Sequence, residues 1–252
     1  MPDALADFTK EPTTLEGKTR DVYRKGTGPA VIVMAEIPGI TPAVANFARA
    51  VADNGCTAVL PHLFGKPGAD VTNGYALKVM LGACISREFT MFARNRTSPI
   101  TGWLRALAVV EKERCGGPGV GAVGMCLTGG FALAMMVEPA VIAPVLSQPS
   151  LPVAAGPWGK RNGNDLGVFP DDLAVVKQRT EDEDLCMLGF RYGGDPLVPA
   201  ARFERLQAEL GDRFIGTTFP SATTRDHSVL TEQLQQKALD DVLAFFHDRL
   251  HT

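Results

Sequence analysis

Apolar positions along this chain fall into two alternating patterns. Short unbroken runs mark buried strands: Ala30 to Glu36, Thr57 to Pro61, the run from Val120 ending in Gly124-Met125-Cys126, Val141 to Leu146, Leu185 to Phe190, and Arg213 to Phe219. Between them apolar residues recur at helical spacing. Thr41 to Asn54 carries Val44, Phe47, Ala48 and Val51 on one face, with Gly55 as a stop. Ile100 to Lys112 brings Trp103, Leu104, Leu107 and Val110 into phase. Further helices are expected after Cys126, at Asp171 to Arg179, at Pro199 to Leu210 and at Thr231 to Leu250. Strands alternating with helices predict a mostly parallel sheet with helices on both faces, an α/β fold. Thr19 to Arg24 reads as an antiparallel edge strand. No repeat or linker divides residues 1–252, so one domain is expected. Residues 62–97 are the least regular stretch, an excursion placed to form a cap or pocket wall.

The segment Val120 to Ala134 carries the most chemistry. A buried strand ends in Gly124-Met125-Cys126, Leu127-Thr128-Gly129-Gly130 follows, and an Ala-rich helix begins at once. A nucleophile on a sharp strand-to-helix turn stands exposed above the sheet. The free N–H groups at a helix start face such a residue and favour a thiolate over a thiol. The six serines all lack glycines at both flanking positions of an elbow, so no serine competes for this role.

A cysteine nucleophile needs a base, and the base needs an orienting group. The chain has four histidines. His247 and His251 fall in the closing helix and tail. His62 follows a strand end and is placed to line a pocket. His227, in Asp226-His227-Ser228, follows the last strand, where sites form in open parallel sheets. Asp195, in Gly193-Gly194-Asp195-Pro196-Leu197-Val198-Pro199, also follows a strand; Asp226 stays open as the other orienter. The order Cys126, Asp195, His227 is nucleophile, acid, histidine, the order of an α/β-hydrolase.

These segments, with Glu36-Ile37-Pro38-Gly39, resemble the dienelactone hydrolase family, in family order from about residue 19 onward. The resemblance implies an α/β-hydrolase fold and a Cys–His–Asp triad of Cys126, His227 and Asp195. It implies that Glu36 contacts the resting thiol, and that the backbone N–H groups of Leu127 and Ile37 form an oxyanion hole. Two departures stand out. The family elbow reads Gly-x-Cys-x-Gly, whereas Thr128 fills the second place after the cysteine. Family members that cleave dienelactone hold its carboxylate with two arginines; Arg87 matches one, and Thr231 occupies the position of the other.

Bulk properties narrow the field. A net charge of −3 leaves no basic footprint for nucleic acid or an anionic membrane. Hydrophobic residues at 45% and charged residues at 21% suit a water-exposed globular domain. No apolar run approaches the roughly 20 residues that span a bilayer, and no secretory signal is expected in the acidic start. Five cysteines without a disulfide framework point to the cytoplasm, with Cys56, Cys84, Cys115 and Cys186 read as packing. Gly119 to Gly124 matches a dinucleotide pattern but lies in the strand instead of after it, so no cofactor is expected. Metal-binding motifs are missing too. The expected function is hydrolysis of a small ester or lactone, by a monomer or small homo-oligomer. The rival readings are a thioesterase, a non-catalytic ligand-binding protein of the same fold, and a redox-sensing Cys126.

Overall fold

The computed structural model describes residues 4–72, 74–79, 99–151 and 163–252. Arg87 and Cys84 lie outside the described residues, as does much of the 62–97 excursion.

Among the described residues, eight strands form one sheet. They are β1 (Thr9–Leu15), β2 (Lys18–Gly26), β3 (Ala30–Met34), β4 (Thr57–Pro61), β5 (Val120–Met125), β6 (Val141–Ser147), β7 (Met187–Tyr192) and β8 (Phe214–Phe219). The order across the sheet is β1-β2-β4-β3-β5-β6-β7-β8. β1 and β2 are antiparallel to their neighbours, and every pairing from β4 to β8 is parallel. Helices among the described residues include α1 (Pro42–Asp53), α2 (Pro99–Cys115), α3 (Gly129–Met135), α4 (Pro170–Asp182), α5 (Ala200–Leu210) and α6 (Gln236–Leu250).

Both sheet faces are covered, which is why the parallel strands read as unbroken apolar runs. Along β3, Ile32 and Met34 join Trp103, Leu104, Leu107 and Phe131 in one core. Val31 and Val33 join Val44, Phe47, Val51, Val242 and Phe246 in the other. The helical phases expected at Val44, Phe47, Ala48 and Val51 are all buried, and the Thr41 hydroxyl caps α1 by accepting from the Val44 N–H at 3.3 Å.

Two expectations change. Thr19 to Arg24 is a strand, but it is not the edge: β1 pairs outside it through a turn in which Glu16 and Gly17 have φ of 50° and 71°. Polar side chains and Pro12 hide β1 in the sequence, since proline is tolerated on an edge strand. The closing helix begins at Gln236 instead of Thr231, because residues 228–235 are drawn into the site below.

The strand order reverses between β3 and β5. Chain leaving β3 moves outward to β4, while chain leaving β5 moves the other way to β6, β7 and β8. Such a switch opens a crevice beyond the carboxyl ends of the strands.

Candidate active site

Cys126 follows β5 at this switch point with φ of 54°, a left-handed value that costs a non-glycine residue. The turn closes tightly around it. A side chain at Gly124 would meet the Thr128 carbonyl oxygen at 2.2 Å, and one at Gly129 would meet Pro149 Cα at 2.6 Å. The second glycine of the elbow is therefore Gly129, one place later than the family spacing. Thr128 itself sits at φ −86°, an ordinary value for a β-branched residue. Its buried hydroxyl accepts from the Met125 N–H at 2.8 Å and lies 2.8 Å from the Met34 carbonyl oxygen. The threonine that put the turn in question is the group that ties it to β3.

His227 reaches the site from the loop after β8. Its Nδ1 lies 2.6 Å from Asp195 Oδ2, just beyond β7. Asp195 is buried, and its other oxygen accepts from the Leu197 N–H at 2.9 Å, which fixes the carboxylate. Asp226 is engaged elsewhere, accepting from the Ala222 and Thr223 N–H groups. With Nδ1 committed to Asp195, a neutral ring carries its free lone pair on Nε2. That atom is buried without a hydrogen-bond partner among the described residues. Burial pushes the His227 pKa down, but the Asp195 hydrogen bond and the Cys126 sulfur outweigh it and raise it to about 11.

Glu36 is also buried, beyond the end of β3, but it serves a different neighbour. Its carboxylate accepts from Gln148 Nε2 at 3.0 Å, from Ser228 Oγ at 2.7 Å and from Thr231 Oγ1. Two of these donors belong to the His227 loop. Gln148 adds a third tie, accepting from the Val229 N–H at 3.2 Å, and it holds an uncommon φ of 34° to do so. The Cys126 thiol has Ser150 Oγ as its partner, at 3.1 Å. The contact of Glu36 with the resting thiol is thus replaced by one with Ser150, because neutral donors from the His227 loop already fill the carboxylate. Gln148 and Ser150 carried no sequence motif of their own. Placement just past the end of β6 was the one available signal for Gln148 and Ser150.

His62 stands apart from this network. Its Nε2 pairs with the Gly65 carbonyl at 2.9 Å, and His62 lines a cavity of about 380 Å³ together with Thr19, Arg20, Asp21, Leu63 and Phe64. Leu127 follows Cys126 in a 3-10 turn, and Ile37 lies in the loop after β3. Among the described residues no cluster of His, Cys, Asp and Glu is arranged to hold a metal ion, and no helix is long and apolar enough to cross a membrane.

The family model of the dienelactone hydrolases matches residues 19–153, more than half of the chain. The chain belongs to the dienelactone hydrolase family. It is a carboxylic ester hydrolase with the α/β-hydrolase fold. No curated protein sequence matches it. Among solved structures, it is similar to a protein from Klebsiella pneumoniae assigned as a dienelactone hydrolase. The two are 17% identical, with a TM-score of 0.66, over 96% of this chain and 97% of that one. A dienelactone hydrolase from Anabaena variabilis is 16% identical, with a TM-score of 0.62, over 97% and 99% of the two chains. A cold-adapted esterase from an Arctic intertidal metagenomic library is 12% identical, with a TM-score of 0.59, over 96% and 92%. At these identities the structural likeness is one of fold.

Proposed function

We propose that this dienelactone hydrolase family member cleaves small carboxylic esters or lactones through a covalent Cys126 intermediate. The observation that carries the reading is the short bond from His227 Nδ1 to Asp195, which leaves Nε2 to hold the proton of the elbow cysteine, whose sulfur interacts with the ring.

In this mechanism the Cys126 proton already rests on His227 Nε2, in keeping with the raised pKa of the ring, and the sulfur attacks the acyl carbon. The carbonyl electron pair moves onto oxygen, where the Leu127 and Ile37 N–H groups stabilise it. Collapse of the tetrahedral intermediate breaks the acyl C–O bond, and the departing alkoxide takes the proton from His227. Neutral His227 then accepts a proton from water, whose oxygen attacks the thioester, and the acid leaves as the sulfur is restored. Asp195 holds the ring in the required tautomer throughout.

The substrate reading follows from Thr231. Its hydroxyl is spent on Glu36, and the hydrogen-bond donors to that carboxylate are all neutral. A second cation for a substrate carboxylate is missing from that position, so an uncharged acyl group suits the site better than dienelactone. Turnover of an activated phenyl ester by the wild type, abolished in Cys126→Ala with the fold retained, is the expected result. Full turnover in that variant would exclude the mechanism.

A further inference from the structure

We propose that Ser150 is a further catalytic residue, whose hydroxyl donates to the Cys126 sulfur and holds it as a nucleophile. The inference rests on the reading of Cys126 given above. Ser150 Oγ and Cys126 Sγ are 3.1 Å apart, well inside hydrogen-bond range for sulfur. Ser150 is buried, so bulk water does not substitute for it. The hydroxyl direction follows from proton counting. With the thiol proton on His227 Nε2, the sulfur has no proton to give, and Ser150 must be the donor. A donor to an ionised acceptor is among the stronger hydrogen bonds, and it costs no rearrangement at the moment of reaction. Ser150 keeps its own proton and forms no covalent bond.

The main chain supports the same role. The Ser150 N–H donates to the Cys126 carbonyl oxygen at 2.9 Å, and Pro149 packs against Gly129. The segment is therefore anchored to the elbow through backbone, independently of its side chain. With Glu36 engaged by Gln148, Ser228 and Thr231, Ser150 is the hydroxyl that meets the sulfur among the described residues.

The test is the rate at which iodoacetamide destroys ester turnover at neutral pH, with peptide mapping of the alkylated cysteine. Ser150→Ala and Ser150→Gly are expected to melt close to the parent, and to lose about tenfold or more in both inactivation rate and kcat/KM. Ser150→Thr, which keeps a hydroxyl, is expected to recover most of each. An unchanged or faster inactivation in the two hydroxyl-free variants would overturn the role of Ser150, as would a threonine variant as slow as alanine. Alkylation mapped away from Cys126, or turnover surviving in Cys126→Ala, would instead overturn the reading on which this one rests.

Discussion

Thr128 Oγ1 lies 2.8 Å from the Met34 carbonyl oxygen, and this contact joins the Cys126 turn to the end of β3. The same hydroxyl accepts from the Met125 N–H, so one side chain satisfies two buried backbone groups. Thr128→Val keeps the shape and removes both bonds. It is expected to lower stability by about 1–3 kcal/mol, since buried polar groups are left without partners. Urea denaturation measures this, and an unchanged midpoint would show that the hydroxyl is dispensable. Ester turnover should fall in the same variant, because the elbow loses its tie to the strand.

The backbone at Cys126 gives a second prediction. A φ of 54° is easy for glycine and costs an L-residue about 1–2 kcal/mol. Cys126→Gly and Cys126→Ala should both be inactive on esters, with the glycine variant melting no lower than the alanine one. A clearly less stable glycine variant would mean that the turn is not strained.

Asp195 is expected to act through His227. Asp195→Asn presents an amide where the ring N–H needs an acceptor, so turnover should fall about a hundredfold or more, with KM little changed. Equivalent loss in Asp226→Asn, with Asp195→Asn intact, would reverse the assignment of the orienter.

The pH behaviour follows from the raised His227 pKa. The folded value of about 11 lies above the ordinary 6.5, so the folded protein keeps a proton that the unfolded chain releases. The stability from this group is complete below about pH 6.5 and is lost as pH rises towards 11. The stability gap between wild type and His227→Ala should therefore shrink over that window when measured by urea unfolding. Turnover should hold through neutral pH and decline only on the alkaline side, instead of following the neutral-range ionisation that an isolated histidine suggests. Part of the rise comes from the Cys126 sulfur, and in the proposed mechanism that part is lost on acylation, when His227 acts as the base.

Substrate preference is the remaining check. Losing one charge-assisted hydrogen bond to a carboxylate weakens transition-state binding by roughly ten- to a hundredfold. Side-by-side kcat/KM values should therefore favour neutral esters over dienelactone. Arg225 is exposed in the loop before His227, and a preference for dienelactone would show that a cation such as this reaches the substrate.

Periodicity and motif spacing were enough to lay out the parallel strands, the helices between them and the order of Cys126, Asp195 and His227. These features are local. A buried parallel strand must be apolar throughout, an elbow must have glycines where backbone approaches backbone, and sites follow strand ends. The sequence by itself therefore determined the α/β layout and the candidate nucleophile, acid and base. It did not determine who serves whom. Glu36 lies 192 positions from Ser228, and Cys126 lies 24 from Ser150. Only tertiary packing decides which donor fills a buried carboxylate and which is left for the sulfur. Polar side chains such as Gln148, Ser150 and Thr231 have no periodicity that reveals their partners, because a hydrogen bond depends on ångström-scale distance in space.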